Sequence, residues 1–102
     1  MSAQPAPQPD ETLAALRDRI AAVDREILAA FNERLELVLD VRRRKRELGI
    51  PFVDPAQEAR LLAALADANA GPLSESALRE LFGLVLGLTK REVARAELLG
   101  RS

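Results

Sequence analysis

Residues 11–48 read ETLAALRDRIAAVDREILAAFNERLELVLDVRRRKREL, without a glycine or a proline. Leu13, Leu16, Ile20, Val23, Ile27, Phe31, Leu35, Val38 and Val41 recur at three- and four-residue spacing, the period of one helix face. The stretch predicts one long amphipathic helix that opens after Asp10 as N-cap and stops at Gly49 and Pro51. Such a helix is roughly 57 Å long at 1.5 Å per residue, whereas a compact monomer of this size has a radius of gyration of about 13 Å. It overhangs its own domain and leaves its apolar stripe in water, so a partner has to cover it. An intertwined homodimer is the simplest partner, and a break or fold-back in the helix is the alternative.

Outward from this stretch, the chain is punctuated twice more. Asp54-Pro55 is an N-cap followed by proline at the first helical position, and Asn69-Ala70-Gly71-Pro72 ends the segment it opens. A third helix starts near Ser74 and runs through Leu78, Leu81, Phe82, Val85 and Leu88 towards Leu99. Nothing alternates with period two, so the fold class is all-α, with three helices per chain in one domain over residues 11–102. Residues 1–10, MSAQPAPQPD, have neither a basic start nor an apolar run and read as a disordered tail rather than a signal peptide.

Composition narrows the chemistry. The 102 residues are 48% hydrophobic and 30% charged, with 15 Lys+Arg against 16 Asp+Glu, and include no Cys, His, Trp or Tyr. Disulfides, Cys- or His-ligated zinc, Cys or His nucleophiles and a histidine base are all excluded. Any reaction has to rest on Arg, Lys, carboxylates, amides and hydroxyls. No apolar run is long enough to span a bilayer, and a cytoplasmic protein without a membrane partner is expected. The basic run Arg42–Arg46 raises nucleic acid as a partner, but a net charge of -1 and the scarcity of aromatics argue against it.

Where the cations point matters more than how many there are. Counting about 100° per residue from Leu13, the apolar stripe centres near 310°, with Arg34 at about 300°, Lys45 at about 320° and Arg17 at about 40°. Arg42, Arg43, Arg44 and Arg46 fan out mostly around the other faces, as a solvated helix end suited to the dipole. A single cation on an apolar face is satisfied by snorkelling or by an internal ion pair, with Glu36, Asp40 or Glu58 at hand. Three in register point to a pocket between helices for a small polyanion, where Arg grips a carboxylate and Lys supplies a point charge.

These residues resemble a known family. The pattern LAALRDRIAAVDREILAAFNERLELVLDVRRRKRELGIPFVDPAQE is similar to the first helix, loop and second-helix start of the AroQ-type, all-α (type II) chorismate mutases. Its landmarks are Leu16-Arg17-x-x-Ile20-x-x-x-Asp24, Glu33-Arg34, Lys45, Asp54 and Glu58. ANAGPLSESALRELFGLVLGLTKRE resembles the closing loop and third helix, so the likeness covers roughly residues 11–95. It implies an intertwined helical homodimer and the Claisen rearrangement of chorismate to prephenate in phenylalanine and tyrosine biosynthesis, without metal or cofactor. By position, Arg34 and the second subunit's residue equivalent to Arg17 would clamp the substrate carboxylates. Lys45 would donate to the ether oxygen, Asp54 and Glu58 would surround the substrate hydroxyl, and Thr89 replaces a serine that assists a carboxylate.

Each position also has a plain structural role. Asp54 with Gln57 at the third helical position forms a capping-box-like pair, Thr89 can bond its own i-4 carbonyl, and Glu58 suits a first helical turn. Two departures stand out: Gln57 occupies a position where the family commonly has Arg, and Val93 one that usually carries Gln or Glu. Valine cannot donate to an ether oxygen. Glu92, which faces the third helix's apolar stripe better than Val93 on the same wheel, is the candidate replacement as a protonated acid. The resemblance also extends to isochorismate-pyruvate lyases, to enzymes acting on the 4-amino analogue of chorismate, and to partner-activated or regulatory subunits of the first shikimate-pathway synthase.

Overall fold

The computed structural model describes residues 9–100, with side chains described from residue 12. The tail expected over residues 1–10 lies, for residues 1–8, outside the described residues. Three α-helices follow in chain order: α1, Pro9–Leu48; α2, Pro55–Ala68; and α3, Glu75–Leu98. No strand occurs among the described residues. All-α with a long first helix is therefore the architecture. Pro9 and Asp10 already belong to α1, so Asp10 lies inside the helix rather than capping it, and proline at the first helical position suits a site whose N–H has no intrahelical partner.

The helix ends follow the local chemistry of the sequence. Gly49 takes φ +69° after α1, and the N–H groups of Gly49 and Ile50 donate to the carbonyls of Arg46 and Lys45 at 3.2 and 2.8 Å. This is a Schellman closure, which needs a left-handed residue and so favours glycine. Asp54 caps α2 by accepting the Gln57 N–H at 3.2 Å. Gln57 does not complete a capping box, because its side-chain oxygen accepts from Arg60 Nη2 at 2.9 Å. Asn69 Oδ1 accepts from the Gly71 N–H at 2.9 Å and its Nδ2 donates to the Leu73 carbonyl at 2.7 Å, closing the α2–α3 loop before Ser74 caps α3.

By their contacts, residues 1–34 and 35–102 form two units. In the first, the described residues are the N-terminal part of α1, and Leu13, Leu16, Ile20, Val23, Ile27 and Phe31 remain between 40% and 61% exposed. In the second, α2 packs on α3. One face of α2 carries Glu58, Leu61, Leu62, Leu65 and Ala66, all half-buried. Leu78, Val85, Val93 and Ala96 of α3 are the buried apolar residues among those described. Leu81, Leu84 and Leu88 form a separate exposed stripe on the same helix.

Candidate functional site

Within the second unit, the last turns of α1 present Leu35, Val38, Leu39, Arg42 and Lys45 as a half-buried stripe at helical spacing. Lys45 ends this stripe, just before the Schellman closure turns the chain into the 49–54 connector. Its Nζ donates to the Phe52 carbonyl at 3.0 Å and lies 6.0 Å from the Phe52 ring centroid. Two residues further on is Asp54. The lysine singled out from the sequence, in the last turn of α1, and the cap of α2 therefore stand on either side of one short connector, to which Lys45 is tied by a charged hydrogen bond at Phe52.

A second pairing joins α2 to α3. Lys90 Nζ of α3 meets both carboxylate oxygens of Glu58 on α2, at 3.0 and 3.3 Å. Next to it on α3, the Thr89 hydroxyl donates to the Val85 carbonyl at 2.7 Å, the local bond weighed from the sequence. Gln57, tied to Arg60 on the exposed face of α2, brings no charge to this surface.

The basic run divides differently from the wheel reading. Arg43 and Arg44 are exposed, as expected, and Arg43 pairs with Asp40. Arg42, expected to be solvated, is half-buried, and together with Arg46, exposed as expected, it converges on Glu97 in the last turn of α3: Arg42 Nε and Arg46 Nη2 reach its Oε1 at 2.5 and 3.1 Å. Arg42 also lies over the Phe52 ring, 5.2 Å from its centroid. The Arg42 hydrogen bond, reinforced by the charges of Arg42 and Arg46 and opposed by desolvation, holds the Glu97 carboxyl below the usual carboxylate range. No local pattern linked Glu97, more than fifty residues away, to this run.

On α3 the wheel has two neighbours reversed. Val93 is 2% exposed and belongs to the core, while Glu92 is exposed. Arg17, exposed, and Arg34, half-buried, belong to residues 1–34. The structure thus brings together Lys45, Phe52 and the loop to Asp54, and joins Glu58 to Lys90. Phe52, Lys90, Arg42 and Glu97 are the members that sequence reasoning missed; the one visible signal was Phe52, an aromatic placed just after a basic run in a chain with 3 phenylalanines as its sole aromatics.

Comparisons with known proteins bear on this arrangement. The family model described as chorismate mutase type II matches residues 16–93. Two curated relatives are T-proteins, from Enterobacter agglomerans (44% identical over 52 residues, 51% of this chain) and Haemophilus influenzae (41% over 54 residues, 53% of this chain). The matched part spans 14% of the length of each. Among solved structures, chorismate mutase of Thermus thermophilus in form II superposes with a TM-score of 0.78 at 36% identity, covering 82% of this chain and 96% of that one. Form I gives 0.75 at 37% identity, covering 76% and 98%.

Proposed function

The chain belongs to the type II chorismate mutase family, and from that membership we propose that it converts chorismate to prephenate by Claisen rearrangement, as an isomerase of aromatic amino acid biosynthesis. The observation that carries the reading is the reach of the family match: residues 16–93 include Arg17, Arg34, Lys45, Asp54 and Glu58. In this rearrangement the C–O bond breaks as the C–C bond forms, with no proton transfer and no covalent intermediate. A chain without His or Cys is equal to that, because restraint and electrostatics are all it requires.

In the proposed site Arg34, with Arg17 from a second subunit, clamps the two substrate carboxylates. Lys45 donates towards the ether oxygen as negative charge develops there, one of its three N–H donors already directed to Phe52. Asp54 and Glu58 accept from the substrate hydroxyl, and Thr89 assists a carboxylate by turning its hydroxyl away from the Val85 carbonyl. Gln57 and Val93 bring no charge to the site. The homodimer this site needs is supported by the six apolar side chains of α1 that stay about half-exposed. Covering them would contribute on the order of 5–9 kcal/mol per chain. Among the described residues no helix is long and apolar enough to cross a membrane, in keeping with the cytoplasmic location we propose.

One observation favours a second reading. Val93, 2% exposed, supplies no donor where a chorismate mutase usually has one, and losing such a donor costs on the order of 10²–10³ in rate. A partner-activated or regulatory subunit tolerates that loss. The test is an assay of the purified protein with chorismate from acidic to neutral pH, with prephenate identified as product. Prephenate formation supports the mutase, and a rise towards acid points to protonated Glu92 as donor. Binding of chorismate without turnover supports the regulatory subunit. Turnover of isochorismate or of the 4-amino analogue alone, or no binding at all, overturns the assignment.

A further inference from the structure

Phe52 is held twice, by different groups. Its carbonyl accepts from Lys45 Nζ at 3.0 Å, while its ring lies under the Arg42 guanidinium at 5.2 Å. Arg42 is in turn fixed by Glu97 at 2.5 Å, and the same carboxylate oxygen takes Arg46 at 3.1 Å. A carboxylate at the end of α3 thus orients a guanidinium, the guanidinium covers a ring, and the residue bearing that ring supplies the carbonyl that orients an ammonium. As an ion pair this contributes little to stability, since both partners are partly exposed, at 26% and 32%. As a geometric device it is different: fixing the Phe52 ring restrains the peptide plane whose oxygen aims Lys45.

We propose that Glu97 is a positioning residue, acting through Arg42 and Phe52 to set where the Lys45 ammonium points. The proposal rests on the reading of Lys45 as the group that meets the developing negative charge. A misdirected ammonium weakens the transition state more than the ground state, so the loss falls on kcat rather than KM. It also predicts that Glu97 and Phe52 work in series: once the ring is gone, Glu97 has nothing left to hold in place.

The test uses the full chain and the variants Glu97→Gln, Glu97→Asp, Phe52→Ala and the double variant Glu97→Gln/Phe52→Ala. Glu97→Gln is expected to lower kcat for chorismate by about tenfold with KM within about twofold, Glu97→Asp to recover part of that loss, and the double variant to be no worse than Phe52→Ala. Hydrogen exchange provides a readout that does not depend on activity: in Glu97→Gln the amides of Ile50 and Gln57, which hold the two ends of the connector by donating to the Lys45 carbonyl and to Asp54 Oδ1, should exchange faster while those of Leu78, Val85 and Val93 stay protected. Unchanged exchange in the connector overturns the proposal, and so does loss of protection in α3 together with the connector, which would make Glu97 a structural brace. Additive losses in the double variant overturn it as well. If the wild type fails to turn over chorismate, the reading of function falls, while the exchange measurement still decides whether Glu97 holds the connector.

Discussion

Replacing Lys45 with methionine separates what the lysine does for folding from what it does for the reaction. Methionine keeps most of the apolar stem that Lys45 lays along the half-buried stripe of α1. What is lost is one hydrogen bond to the Phe52 carbonyl at 3.0 Å and a distant contact with the ring at 6.0 Å. At a half-buried site these amount to about 1–2 kcal/mol together. The reaction loses more: removing a preorganised donor from developing negative charge costs at least about 10²-fold, or roughly 2.7 kcal/mol of transition-state stabilisation. The two quantities are read separately, by urea unfolding at a fixed chain concentration and by kcat/KM for chorismate. A fall in kcat/KM smaller than about tenfold would refute the role given to Lys45. So would a loss of stability above about 4 kcal/mol with activity falling only in step with the folded fraction, since the ammonium would then be a structural group.

Three other perturbations test separate parts of the reasoning. Ile20→Asp, in the middle of the exposed stripe of α1, should shift sedimentation from dimer to monomer at micromolar concentration; a variant that stays dimeric shows that this face is not the interface. Asp54→Asn keeps a good N-cap and should change stability by less than about 0.5 kcal/mol while lowering kcat/KM, whereas Asp54→Ala should cost about 1 kcal/mol as well, both read from denaturant midpoints. Glu97, whose carboxyl is held below its ordinary range by Arg42, contributes stability that is present above the unfolded-state pKa and lost as pH falls through the lower folded-state value. The gap in melting temperature between wild type and Glu97→Gln should therefore be full near neutral pH and close below about pH 4; a gap that is constant with pH would mean that the ion pair contributes nothing.

The fold was legible because its boundaries are set by local chemistry. Gly49, Asp54-Pro55, Asn69, Gly71 and Ser74 each act through their own backbone or side chain within a few residues, so the sequence displays them without help from tertiary structure. Among the candidate residues, the half-buried place of Lys45 was legible because one helix face carries it. It was not legible where two distant segments meet. Nothing near Arg42 or Arg46 announces Glu97, and nothing near Glu58 announces Lys90, because ion-pair choice depends on how the helices pack. The reversal of Glu92 and Val93 has a different cause. α3 carries two apolar stripes, the buried one at Leu78, Val85, Val93 and Ala96 and the exposed one at Leu81, Leu84 and Leu88. A wheel averages them, and the mean direction falls near Glu92, between a core that excludes it and a surface that has yet to be covered.

The four buried apolar side chains of α3 carry a consequence for how this protein behaves at low concentration. These four, the buried apolar side chains among the described residues, cannot by themselves offset the entropy of ordering three helices, so folding and the covering of the exposed leucines should be one event. Refolding would then be second order in chain, the midpoint of unfolding would climb with each tenfold increase in concentration, and simple dilution would act on this protein as a denaturant.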